Sequence, residues 1–482
     1  MLGVAGQESP FGLSSSEERL LAERVERALA LARRGGGPAV AAVTVPVPAG
    51  LDVSAAVLAA RRASDRFFCF EQPDRRGFAL AALGSAATVE ARGPDRFASA
   101  TRRVRELASR TFADDPGRDP ARPPAAGPVF LGGFAFAHHG GGSPEWSSLA
   151  PASLVLPELA LARHGDEARL TVAVAAGPDD DPGGLLERAR TRLSELLPAR
   201  MPLLDPDPLE RARVYGAAPP SHYEEAVARA VERIAAGELD KVVLAREVRV
   251  HGPREHDPAP VMDALRAAFP ACYCWCVGTP ELTFLGASPE LLVRRDGARA
   301  QTVALAGTTR RSADPAVDDH LGEQLLRSDK DRSEQEIVAR RIERTLGPVS
   351  LWVAAGEEPA LVKVQNVQHL ATAIRAQLAR PLHTLELAGL LHPTPAVGGE
   401  PRAAAEPLIP ALEGLDRGWY AGAVGWTDLA EDGELCVALR CALLRGRTAH
   451  LYAGCGIVRD SVPAEELAET EVKLEALLPL LA

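Results

Sequence analysis

Residues 451–473 (LYAGCGIVRDSVPAEELAETEVK) constrain this chain more than any other stretch, because an apolar run broken by Gly454 and Gly456 leads through Ser461 and Pro463 into a charged segment. Glycines let backbone amides come close to a ligand, and serine followed by proline marks a helix start. In the predicted helix Leu467, Leu474, Leu478 and Leu481 make the apolar stripe. At about 100° per residue, Glu466, Glu469 and Lys473 fall within roughly 60° of one another on a different face. Two carboxylates and an ammonium therefore share one face just after a glycine loop. A solvated stripe with ordinary i,i+3 and i,i+4 pairs explains such a face by itself. A second acidic-basic helix upstream, carrying Glu334, adds another reading. Carboxylates from two helices can hold a hard divalent cation through oxygen, and Mg2+ held in this way keeps positions free for water and an anionic substrate.

Composition narrows the partners. The chain has 482 residues, 46% apolar and 25% charged, enough for one large globular domain or two. A net charge of −11 and the lack of a basic stripe argue against nucleic acid. No run of 18 apolar residues suggests a membrane span, and the first ten residues lack the basic and apolar regions of a signal peptide, so a cytoplasmic location is expected. Seven cysteines, with Cys272, Cys274 and Cys276 alternating, suit one face of a buried strand rather than a disulfide framework or a zinc site. Methionine is scarce and no continuous apolar patch stands out, so a monomer is expected.

Along the chain, helices are predicted over 17–34, 95–110 and 185–196, with short buried strands at 67–71 and 78–83. A Pro/Gly/Asp-rich loop is predicted over 114–128, then a strand over 129–137 ending in exposed His138 and His139. Strands over 152–162 and 168–175 follow. The proline-rich stretch 198–220 reads as a connector. Beyond it, a helix from 222 stops at Gly237, and a strand over 238–250 carries Lys241 at its mouth. A strand–turn–strand over 282–294 sets Glu290 at the start of its second strand. The strand 303–307 runs into a Gly307-Thr308 turn, and one long helix is predicted over 316–346. Long helices between meandering strands, without an internal repeat, indicate an α+β fold.

A family resemblance lies in short motifs: KVVLAR at 241–246, SPE at 288–290, LAGT at 305–308, KDRSE at 330–334, VQH at 367–369, LHPTPAV at 391–397, WYAG at 419–422, CVALR at 436–440 and AGCGIV at 453–458. In this order they resemble the chorismate-utilising enzymes, and among them the isochorismate synthases most. The resemblance implies an α+β fold of large antiparallel sheets with helices packed outside. Residues 206–482 would be the chorismate-binding catalytic part, and 1–205 a variable N-terminal part of the same fold.

For chemistry the resemblance implies Mg2+-dependent, reversible conversion of chorismate to isochorismate. Water adds at C2 of the ring while the C4 hydroxyl leaves, which needs a base and an acid. By motif, Lys241 would be the base and Glu290 the acid. Glu334 and Glu469 would ligate Mg2+, with Glu466 close by or acting through water. Arg440 and Lys473 would hold the substrate's carboxylates, by a bidentate fork and as a point charge respectively. Backbone N–H groups near Gly307, Thr308, Gly454 and Gly456 would complete the cradle. His369 resembles a histidine near the ring, and small Ala396 leaves space beside it. Ala306 stands where aminodeoxychorismate synthases commonly carry a nucleophilic lysine, so water or ammonia would have to attack. The form of residues 392–396 resembles isochorismate synthases rather than anthranilate synthases. Salicylate synthases, which continue to pyruvate elimination, are the closest rival. Isochorismate feeds both menaquinone and siderophore synthesis, and the long N-terminal half inclines the reading to menaquinone.

Overall fold

Prolines decide where this chain changes sheets. Strand Ala152–Leu156 and strand Leu159–His164 read as one run in the sequence, but Pro157 offers no N–H to a ladder and divides them. The first joins a ten-stranded sheet and the second a thirteen-stranded one. At Ser288-Pro289-Glu290 the chain again leaves the larger sheet, strand Thr283–Ser288, and enters the smaller, strand Leu291–Asp296. The structure is a computed structural model and describes residues 10–114, 122–205 and 210–482. The readings placed on the first nine residues, and on parts of the 114–128 loop and the 198–220 connector, lie outside the described residues.

Both sheets take strands from both halves of the sequence. In the larger, Lys241–His251, Thr448–Ile457, Cys441–Arg445, Thr283–Ser288 and Tyr273–Gly278 continue directly into Phe67–Gln72, Phe78–Leu83 and Leu159–His164. In the smaller, Val367–Leu378, Arg299–Arg310, Leu291–Asp296, Gly433–Val437 and Ala423–Asp428 continue into Val129–Phe134 and Ala152–Leu156. Among the described strands the pairings are antiparallel except that of Ala39–Val47 with Thr111–Phe112. The architecture is α+β, as expected.

Strand Tyr273–Gly278 shows how alternation builds the core. Trp275 and Val277 point into an apolar cluster shared by the two sheets, with Phe70, Phe130, Phe134 and Trp419. Cys274 and Cys276 point the other way, with Cys69 and Leu285, against the helices Ser15–Gly35, Val53–Ala60 and Pro258–Ala268. All seven cysteines are buried and unbridged, in keeping with the packing role expected of the 272–276 cluster.

Four local expectations are corrected. Strand Arg299–Arg310 does not end in a turn at Gly307. The pairing slips between Ala306 and Thr308, leaving Gly307 (φ +73°) as the extra residue of a bulge. The helix expected over 316–346 is two, Pro315–Arg327 and Asp329–Leu346. Ser328 separates them, and its hydroxyl caps the second by accepting from the Asp331 N–H. Gly454 and Gly456 lie within strand Thr448–Ile457 rather than in a loop. The last helix is Pro463–Leu474, so Leu478 and Leu481 belong to a separate short turn, and Ser461 accepts from Val458 N–H instead of capping.

Candidate active site

Two crossovers between the sheets place two of the principal ionisable groups. Glu290 lies at one, and Arg440 at the other, where strand Gly433–Val437 of the smaller sheet hands over to Cys441–Arg445 of the larger. Backbone bonds tie them together: Val437 N–H donates to the Glu290 carbonyl at 3.0 Å, and Ala287 N–H to the Arg440 carbonyl at 3.1 Å. Arg440 adopts φ +47°, a region non-glycine residues rarely enter. Between the crossovers is a cavity. Of the residues singled out by sequence, Glu290, Ala306, Gly307, Thr308, Glu334, His369, Ala396, Arg440, Gly454, Gly456, Glu469 and Lys473 line it.

Lys241 and Glu466 do not line the cavity but stand just behind that wall. Lys241, expected at a strand mouth, is the first residue of its strand and is fully buried, its Nζ 2.8 Å from Glu334 Oε1. Gly456 makes room for this pair, since a Cβ there would sit 2.8 Å from Lys241 Cε. Gly456 and Gly454 lie opposite Val243 and Ala245, whose N–H groups donate elsewhere, to the Gly398 carbonyl and to Glu413 Oε1. The two glycines are therefore in non-hydrogen-bonded pairs, with N–H groups pointing off this ladder, as an anion cradle requires.

Burial pushes the Glu290 carboxyl up to about 8, against the opposing pull of Lys241, the Thr394 hydroxyl, Arg440 and Lys473. It is therefore mostly protonated at neutral pH and can give a proton away. His369 has the reverse problem: burial, then Arg440 and Lys473, hold it well below the ordinary histidine value, so the ring is neutral. Arg440 donates to His369 Nε2, which leaves the ring hydrogen on Nδ1, 3.1 Å from the Gly307 carbonyl. The position the sequence left without a role is a prop that orients the guanidinium. Arg440 keeps its buried Nη1 without a protein partner.

Helices Asp329–Leu346 and Pro463–Leu474 bring their carboxylates to the same end of the cavity, each held by an ammonium. Lys473 Nζ is 2.7 Å from Glu469 and 2.9 Å from the Gly454 carbonyl, and Lys330 Nζ is 2.9 Å from Glu466. Burial opposes the Glu469 charge, but Lys473 holds that carboxyl below the usual range. Glu466 is pushed up by burial and by Glu469, and Asp331 by burial, Glu334 and Glu469. Crowded, buried carboxylates of this kind gain from a hard cation, and their all-oxygen donor set suits one. Glu334 faces Lys241 instead, and among the described residues the donor group that comes closest together is Cys455, Glu466 and Glu469.

Sequence reasoning passed over Asp331, Lys330, Tyr420 and Cys455, although all four stand in the quoted motifs. Asp331 had a usable signal, since it precedes Glu334 by three and so shares its helix face. Tyr420, which lines the cavity with its hydroxyl close to Gly454, had none, because an aromatic residue beside a buried tryptophan reads as core.

A protein family described as chorismate binding enzyme matches residues 25–482. The chain is 38% identical over 412 residues to the salicylate biosynthesis isochorismate synthase of Pseudomonas aeruginosa, covering 85% of this chain and 83% of that relative. It is 33% identical over 359 residues to isochorismate synthase MenF of Bacillus subtilis, covering 74% of this chain and 75% of the relative. The solved structure of MenF, the menaquinone-specific isochorismate synthase from Escherichia coli, matches with a TM-score of 0.77 at 28% identity, covering 96% of this chain and 99% of that one.

Proposed function

From the premise that this chain belongs to the chorismate-binding enzyme family, we propose that it is an isochorismate synthase, interconverting chorismate and isochorismate. Water adds at C2 of the ring and the C4 hydroxyl departs. The observation that carries this reading is the neutral Glu290 carboxyl, under the pull of Lys241, in a cavity that also holds Arg440 and Lys473 for an anionic substrate and the carboxylates Glu334 and Glu469. A carboxylic acid protonated at neutral pH can give its proton to the leaving C4 oxygen, a contribution of about 100- to 10,000-fold for a positioned acid. Lys241 would take the proton from the attacking water once its ammonium has handed a proton to Glu334, whose Oε1 lies 2.8 Å from its Nζ.

Arg440, propped by His369, offers its unpartnered Nη1 to a substrate carboxylate, and Lys473 adds a point charge on the same side. The Gly454 and Gly456 N–H groups donate to the same anion, and the bulge at Gly307 brings that stretch of backbone to the cavity wall. Glu466 and Glu469, with Asp331 and Glu334 near them, would hold Mg2+. The cation would supply charge stabilisation at the ring carboxylate and the departing oxygen. Ala306 and Ala396 keep the wall free of a competing amine and leave space beside the ring.

The names of the relatives divide between menaquinone and salicylate synthesis, and isochorismate is common to both. Incubating the protein with chorismate and Mg2+ and identifying the product tests the reading. Isochorismate, formed reversibly and without anthranilate when ammonium is supplied, is the expected result. Stoichiometric pyruvate with a fluorescent salicylate product would replace it with salicylate synthase.

A further inference from the structure

Glu290 is fixed at its backbone and free at its head. Its N–H donates to Ser288 Oγ at 3.2 Å and its carbonyl accepts from the Val437 N–H at 3.0 Å, so only the carboxyl is left to be oriented. Beside it, residues 392–398 are pinned from outside the cavity. Arg402 donates to the His392 carbonyl at 2.9 Å, His392 Nε2 donates to the Phe136 carbonyl at 2.9 Å, and Arg417 donates to the Val397 carbonyl at 2.8 Å. Within this segment the Thr394 carbonyl accepts from the Val397 and Gly398 N–H groups at 3.1 and 2.9 Å, which fixes where the Thr394 side chain begins. Thr394 is only 3% exposed, and its hydroxyl has no hydrogen-bond partner in the resting site. A buried hydroxyl left in this way is costly and asks for a use. Thr394 does not line the cavity, so whatever it does for a substrate passes through a neighbour. Glu290 is that neighbour: after burial and the charge of Lys241, the Thr394 hydroxyl is the next influence on its carboxyl, and it favours the ionised form.

We propose that Thr394 is the positioning residue of the acid: its hydroxyl turns onto the Glu290 carboxyl as that group gives up its proton, and holds the carboxylate that remains. The inference rests on the reading of Glu290 as the acid and adds the group that lets it act from a buried position. Burial keeps the proton on Glu290 until it is needed, but it also opposes the charge left behind once the proton has gone. As the C4–O bond breaks, the Glu290 proton passes to the leaving oxygen, which departs as water. Thr394 keeps its own proton and shares it with the new carboxylate in a hydrogen bond. That bond is made to a charge absent from the resting state, so it lowers the barrier without tightening substrate binding. The other titratable groups that face Glu290 are Lys241, Arg440, Lys473 and the Cys436 thiol. Lys241 and Lys473 are paired with Glu334 and Glu469, and Arg440 donates to His369, whereas the Thr394 hydroxyl is uncommitted.

The test follows the protonated Glu290 carboxyl by its infrared carbonyl band, in the metal-free full-length protein between about pH 5 and pH 10. Subtracting the Glu290→Gln spectrum removes the other buried carboxyls, Asp428 among them. The native band is expected to fade through about pH 8. In Thr394→Val, which keeps the shape and loses the hydroxyl, the midpoint should rise by about one unit, a tenfold weaker acid, and in Thr394→Ser it should stay near the native value. Thr394→Ala, a second variant without the hydroxyl, should behave as Thr394→Val does. With chorismate and Mg2+, Thr394→Val should lose about tenfold in kcat with KM little changed, and Thr394→Ser should restore it. A native midpoint in Thr394→Val, with the band present, would overturn the proposal and leave Glu290 as the acid. A higher kcat in that variant would do the same, since the hydroxyl would then be holding the proton back from the ring. A Thr394→Ser protein as impaired as Thr394→Val would assign the role to packing of the methyl group and equally overturn it. Absence of the band at every pH would overturn the reading of Glu290 as the acid, and the proposal with it.

Discussion

Replacing Glu290 by glutamine should make the protein more stable at neutral pH while removing its activity. The carboxyl titrates at about 8 in the fold against an ordinary value of 4.5, so between those values the folded chain binds a proton that the unfolded chain has released. The stabilising contribution is fully present below about pH 4.5 and is lost as the pH rises to about 8, at about 1.4 kcal/mol per unit. Glutamine has the same shape and no such dependence. Native and Glu290→Gln proteins should be similar near pH 5, with the variant gaining about 3 kcal/mol on the native protein by pH 7. Urea denaturation at pH 5, 6, 7 and 8, on metal-free samples of both, measures this directly. Turnover of chorismate should fall more than about a hundredfold in the variant, and in the native protein it should decline as the pH passes through about 8 and the acid ionises. Parallel stability curves for the two proteins across that range would refute the claim that burial keeps Glu290 protonated.

Lys241→Ala should also lower turnover more than about a hundredfold without unfolding the chain, as judged by circular dichroism. A folded Lys241→Ala protein with near-native turnover would remove the base from the mechanism. Treatment with EDTA should abolish activity and Mg2+ restore it, whereas Glu469→Ala should not recover at any accessible Mg2+ concentration. Full activity after demetallation would exclude the carboxylate site from the reaction. Gly456→Ala would push a methyl group against the ends of Glu334 and Lys241 and should cost about a hundredfold in kcat/KM through misplacement, with only a small fall in melting temperature. A large loss of stability with unchanged kcat/KM would show that the glycine serves packing alone.

The chemistry was legible in this sequence to a greater depth than the chain path. Charged residues in a spaced motif keep their identity whatever the backbone does, so nearly every residue named from the motifs returns around one cavity. What the sequence hid was where the backbone breaks. Pro157 in an apolar run and Ser328 in a helical one are single residues, and their effect depends on which sheet or helix receives the next segment. The bulge at Gly307 looked like a turn because a positive-φ glycine serves both, and only the partner strand Val367–Leu378 distinguishes them. The burial of Lys241 was likewise invisible, since it is the missing side chain at Gly456, over 200 residues away, that makes the space. Cys455 was passed over for the same reason: its carboxylate neighbours come from a helix whose angle against the strand is a tertiary fact.

The interleaving of the two halves governs how the chain can reach its native state during synthesis. Strand Phe67–Gln72 waits for Tyr273–Gly278, and Val129–Phe134 for Ala423–Asp428, separations on the order of 200 to 300 residues. Until those partners leave the ribosome, each early strand presents an unpaired edge rich in apolar residues, the kind that invites pairing with a neighbouring chain. The N-terminal half therefore cannot mature first and wait. Both partners lie in the second half of the chain, so the early edges stay open until most of it has been made.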